Sequence, residues 1–140
     1  MFMIEAGLFK GIASHIINEI AGIATEEIYS AGQVIFEKDD IADYLYILEE
    51  GEVKITFPGK KPVTFQVEKS GHMLGWSAMM EPSIYTARGK CVKESKLIKI
   101  DGGRLTRIFE NHPSEGLLVM KRLAGAVSSR LVKCYQEISP

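Results

Sequence analysis

The sequence predicts a mostly β domain with flanking helices: a barrel or jelly roll with a helix before it and a long helix after it. Two alternating apolar and polar stretches lie on either side of "PGKKP", the pattern of a hairpin with one buried face. Further short apolar runs recur between turn signals, as they do in small all-β barrels and jelly rolls. Both ends of the chain change to the three-and-four spacing of helices.

The elements follow in order. Ile12, Ile16, Ile20 and Ile23 share one helical stripe, with Ser14, Asn18 and Glu19 between them. "QVIF" and "YLYILEE" read as strands, and Gly51 supplies the turn out of the second. Val53, Ile55 and Phe57, then Val63, Phe65 and Val67, form the inward sides of the hairpin. "ARGKCV" and "SKLIKID" are two more short strands; Gly102-Gly103 then breaks the chain before a two-turn helix, "RLTRIFEN".

Pro113 suits the first position of a helix. Beyond it Leu117, Met120, Ala124, Val127, Leu131, Cys134 and Ile138 step by three and four without a break, the seam of a coiled coil and hence of a homodimer. The alternative is a helix lying on its own barrel, and Gly116, Gly125 and Ser128-Ser129 weaken the helix. The dimer seam is the preferred reading because the spacing persists over three heptads.

Composition narrows the function. The 140 residues carry 17 basic and 18 acidic side chains, interspersed, with a net charge of −1, which offers nucleic acid no basic stripe. No apolar run approaches the roughly 20 residues that span a bilayer. "MFMIEAGLFKG" lacks the features of a signal peptide, and Cys91 and Cys134 form no ligand-spaced pair, so the expectation is a cytoplasmic protein in a reducing compartment. "PGKKPVT" lacks the first glycine and the Ser/Thr of a phosphate-binding loop. His15 and Glu19 read as a surface pair one turn apart, and no motif indicates a metal site, a catalytic residue or an enzyme.

The element order, "AGQVIFEKDDIADYLYILEEGEVKI" and "GHMLGWSAMMEPSIYTARGK" together resemble the cyclic-nucleotide-binding domain of the catabolite-activator and kinase regulatory-subunit superfamily, over nearly the whole chain. The resemblance implies a double-stranded β-helix. Residues 1–112 then hold the N-terminal helix, barrel and connecting helix, and residues 113–140 the dimerisation helix. Asp39 stands where the family usually has glycine, and aspartate tolerates the left-handed conformation that turn needs.

The second motif resembles the family's phosphate-binding cassette: Gly75, Ala78, Thr86 and Ala87 match it. Its two ligand-reading side chains are replaced. Trp76 stands at the glutamate that holds the ribose hydroxyl, and Tyr85 at the arginine that pairs with the cyclic phosphate. An indole nitrogen only donates, so it cannot accept from a ribose. Loss of the arginine should cost on the order of 2–5 kcal/mol, enough to move micromolar affinity toward millimolar. What remains for an anion is the short helix's amides near Ser77 and Ala78, plus the Thr86 hydroxyl.

Cyclic AMP and cyclic GMP are therefore not the expected ligands. The preferred function is a free-standing dimeric sensor or regulatory module in signal transduction, binding another small ligand between Trp76 and Tyr85. Met73, Met79 and Met80 would add adaptable surface to that pocket. The alternatives are a filled pocket in an interaction or dimerisation subunit, and a conventional binder in which Arg88 replaces the lost arginine. An extended strand, however, puts Arg88 on the face opposite Tyr85 and alongside Thr86. Some relatives carry haem, and His72-Met73 could ligate iron, but a turn histidine reads first as solvent-exposed. No cofactor is expected. A protein partner fits the output better than DNA, because the sequence ends at Pro140 without a DNA-binding element.

Overall fold

The structure is a computed structural model that describes residues 7–138, with the side chain of Ile138 outside the described set. After a single turn of 3-10 helix at Gly7–Phe9 comes α1, Ser14–Gly22, whose inner side is Ile16, Ile17 and Ile20. Eight strands follow: β1 Ala24–Tyr29, β2 Val34–Phe36, β3 Tyr44–Glu50, β4 Val53–Phe57, β5 Val63–Val67, β6 Met73–Leu74, β7 Arg88–Cys91 and β8 Ser95–Asp101. Two helices complete the fold, α2 Gly102–Asn111 and α3 Pro113–Ile138.

The strands form two four-stranded sheets, β1-β8-β3-β6 and β2-β7-β4-β5, with every pairing antiparallel. This is a jelly roll; the sheets do not close into a barrel. The β4–β5 hairpin has the expected register: Val53 faces Val67, Ile55 faces Phe65 and Phe57 faces Val63. Val53, Ile55, Phe65 and Val67 are buried while the residues between them stay wetter, as the alternation requires.

The central strand β3 of the first sheet is buried on both faces, and this explains its unbroken run "YLYIL". Tyr46 and Leu48 enter the core between the sheets, with Leu97 beside them. Leu45 and Ile47, with Ile98 and Ile100, enter a second core beneath the three helices. A strand buried on both sides reads as a continuous apolar stretch rather than an alternation. Fully burying one such side chain contributes about 1.5–3 kcal/mol, so both cores draw on this strand pair.

Asp39 adopts the left-handed conformation, with φ 76°, as its place in the turn demands. Two elements depart from expectation. Strand β1, which the sequence reading did not include, pairs only with β8, and its exposed Glu26 and half-buried Glu27 form ion pairs with Lys96 and Lys99. Helix α2 begins at Gly102, two residues before the expected start. The Asp101 carboxylate accepts from the Arg104 amide at 3.0 Å and caps the helix. Gly102 fits this first turn because a Cβ there would lie 2.6 Å from the Ala78 carbonyl oxygen.

Helix α3 has two apolar faces. Val119 and Leu123 are buried in the helical core, and Gly116 packs against Phe109. The heptad seam faces outward along much of its length: Leu117 is 58% exposed, Met120 39% and Leu131 69%, and Ala124 is also exposed. Val127 and Cys134 are half-buried, the latter against the core between the sheets. The helix therefore lies on its own fold and still presents most of the seam.

Candidate functional site

Gly75 follows β6 and opens a 3-10 helix, Trp76–Met79, in the position of a phosphate cradle. Its φ of 74° is left-handed, and a Cβ would stand 3.2 Å from both the Tyr44 carbonyl oxygen and the Tyr46 ring. A densely packed cassette therefore needs this glycine, whether or not a ligand is bound. Ser77 and Ala78 are buried beneath it.

Tyr85 is packed into the cassette. Its ring stacks on Phe36 at 4.3 Å between centroids and 17° between planes, which is favourable offset packing. Its hydroxyl donates to the Tyr44 carbonyl oxygen at 2.7 Å, so the polar tip is already used inside the protein. Only 5% of Tyr85 is exposed, and burial pushes its phenol up to about 12. Between Phe36, Phe57, Trp76, Tyr85 and Thr86 only about 20 Å³ remains. That is space for about one water.

The other expected binding residues sit around Tyr85. Ala87 is buried, and Thr86 is exposed at the rim. Arg88 does not join the cassette. Its Nε and Nη2 donate to the two Glu37 carboxylate oxygens at 2.8 and 2.7 Å, on the exposed side of β7. This fork holds the Glu37 carboxyl below its ordinary range. Arg88 thus lies on the face away from Tyr85, as strand alternation predicts, and its donors are turned to Glu37.

Met73, Met79 and Met80 pack with Trp76 against the helical core, so they do not widen the cassette. His72 is exposed. Glu19 pairs with His112 at 2.8 Å and not with His15, whose ring meets His112 edge-on at 5.7 Å; tertiary packing supplied a closer partner than the helical turn.

Two parts of the site escaped sequence reasoning. Phe36, the ring on which Tyr85 stacks, was read only as part of the strand "QVIF", with nothing to place it against the cassette. Arg130, on the inner face of α3, lies over the Trp76 ring with its guanidinium carbon 4.7 Å from the centroid. Both depend on long-range packing, although three-residue spacing from Val127 could have placed Arg130 beside the seam.

This jelly roll, with a glycine-led helical turn between β6 and β7 and a long helix across the sheets, defines a cyclic-nucleotide-binding fold. The model of the cyclic nucleotide-binding domain family matches residues 26–112, and the chain belongs to that family. A putative cyclic nucleotide-binding protein from Geobacter metallireducens superposes with a TM-score of 0.81 at 29% identity, covering 92% of this chain and 95% of the other. The catabolite activator protein of Thermus thermophilus shares the fold at 19% identity and a TM-score of 0.75, over 95% of this chain and 62% of that one. Among curated proteins, Glutaminase 1 of Bradyrhizobium diazoefficiens is 26% identical over 91% of this chain, which spans only 20% of that protein's length.

Proposed function

We propose that this chain is a regulatory domain whose cassette is closed to cyclic AMP and cyclic GMP, and which works as a homodimer through the outer face of α3. The observation that carries the reading is Tyr85: it fills the phosphate position and spends its hydroxyl on Tyr44. Of the alternatives left by the sequence, the filled pocket in an interaction subunit has the most support from this geometry. A second small ligand between Trp76 and Tyr85 would first have to displace the Tyr85 ring. No helix among the described residues is long and apolar enough to cross a membrane.

The test is thermal unfolding with saturating cyclic AMP and cyclic GMP. A ligand at 100 times its dissociation constant adds about 2.7 kcal/mol, which raises the midpoint by several degrees. No rise is expected from either nucleotide; a clear rise would overturn the reading of Tyr85.

The dimer rests on the exposed Leu117, Met120 and Leu131, extended by Leu118, Val132 and Tyr135. An apolar stripe of this length on a soluble helix is characteristic of an association surface. Leu117→Glu with Leu131→Glu should halve the mass measured by light scattering and leave the far-UV circular dichroism of the domain intact. A wild-type mass equal to one chain at micromolar concentration would remove the dimer from the proposal.

A further inference from the structure

The two sheets arrange their charges differently. On the first, the lysines of β8 are matched by carboxylates: Lys96 pairs with Glu26 and Glu49, and Lys99 with Glu27. The second sheet, β2-β7-β4-β5, holds no acidic residue in any of its four strands, and its cations are Lys54, Arg88 and Lys90. Arg88 is answered from outside the strands by Glu37. Lys54 and Lys90 are not. Neither forms an ion pair among the described residues, and the register sets them directly opposite each other on β4 and β7.

Both lysines are exposed on the outer face, because their strand neighbours Val53, Ile55, Gly89 and Cys91 are buried on the inner one. Opposed residues of antiparallel strands have Cα atoms about 4.5–5.5 Å apart, and like charges at that spacing destabilise the pair. A carboxylate lying between the two ammonium groups would turn one repulsion into two attractions. Around them the outward positions are uncharged: Val34 beside Lys90, Gln66 beside Lys54, and Thr56 with Thr64 two residues along. The hairpin carries the same strand pair on to Lys60 and Lys61, exposed and likewise without an ion pair among the described residues. Glu52 and Glu68 stand only at the far end, beyond Val53 and Val67.

We infer that the outer face of the second sheet docks an acidic segment of a partner protein, laid extended over β4 and β7 with one carboxylate between Lys54 and Lys90. An extended segment presents every second side chain to one face, about 6.6–6.8 Å apart, which matches the outward positions along a strand. Charge complementarity selects this occupant over a membrane or a nucleic acid. Val34 is the one exposed apolar side chain within these four strands, too little to enter a bilayer. A chain of net charge −1 with so few unpaired lysines suits a short acidic segment and not a polyphosphate. The surface is separate from the cassette and from the outer face of α3, so it stands independently of both.

The probe is a fluorescein-labelled octaglutamate peptide, titrated with the whole chain at low salt and read by anisotropy. Binding should saturate with a dissociation constant below about 1 mM. Lys54→Gln with Lys90→Gln should weaken it about fivefold or more. Lys10→Gln with Lys121→Gln removes the same charge from exposed sites elsewhere and should change it less than about twofold. Lys54→Glu separates docking from stability. It should weaken binding at least about tenfold and raise the thermal midpoint by about 1–4 °C, because Lys90 then gains a cross-strand partner. The inference is overturned if the peptide does not saturate by about 10 mM, or if the two double variants weaken it alike. Lys54→Glu binding that equals the wild type, or a midpoint that does not rise, overturns it as well. So does tighter binding of phosphatidylserine vesicles or duplex DNA through the same two lysines, which would give the face a different occupant.

Discussion

Replacing Tyr85 with alanine should cost about 3–5 kcal/mol, the range for truncating a buried aromatic ring. The change removes the stack on Phe36, removes the donor to the Tyr44 carbonyl oxygen and leaves a void where now only about 20 Å³ is open. Tyr85→Phe keeps the ring and loses only the hydroxyl, so its cost should be nearer 1 kcal/mol. Against a typical stability of about 5–15 kcal/mol, the alanine variant is close to the limit of folding. Urea denaturation of the two variants separates ring from hydroxyl. The result bears on function as well as stability. If Tyr85 had merely drifted into a vacant ligand site, alanine would cost little, because water would re-enter a cavity shaped to be filled from outside. A cost under about 1 kcal/mol would therefore contradict a plugged cassette.

The sequence displayed the jelly roll through local signals. The hairpin at residues 53–67 shows a two-residue period, and its register follows from burying one face. Strand β1 was less legible, because Glu26 and Glu27 stand in its middle, paired with Lys96 and Lys99 of β8, and break the apolar alternation. The cassette frame was legible in Gly75, Ala78, Thr86 and Ala87, and so was the change of charge at Trp76 and Tyr85. The fate of the vacated space was not. It depends on Phe36, drawn in by the β2–β7 pairing, and on the Tyr44 carbonyl oxygen, whose position belongs to β3. Arg88 could be placed on the outward side by counting along a strand, whereas its partner Glu37 lies 51 residues away and could not. Likewise Lys69 and Arg130 line one cavity only because α3 packs back against the segment joining β5 to β6.

Stability should fall steeply above pH 10, because three tyrosines share one buried region. Tyr29, Tyr46 and Tyr85 are 8%, 4% and 5% exposed, and the Tyr46 ring meets both Tyr29 and Phe36. Burial is the first cause of the raised phenol in each; the Glu27 carboxylate, accepting from Tyr29 at 2.6 Å, adds to the effect there. The sign follows from proton counts. Near pH 10 the unfolded chain begins to release these protons and the folded chain retains them, so the unfolded state binds fewer and gains as pH rises. For Tyr85 the loss runs from the ordinary value of 10.0 to about 12, and for the other two it continues beyond. Each tyrosine contributes about 1.4 kcal/mol per pH unit, so together they approach about 4 kcal/mol per unit. A domain of ordinary stability is then unfolded within about two to three units. Urea midpoints from pH 9 to 11, followed alongside tyrosinate absorbance, measure this slope, and Tyr85→Phe should reduce it by about one third. A flat stability to pH 11 would mean that these phenols ionise in the folded chain. The aromatic plug would then be open to solvent, and the case for a closed cassette would go with it.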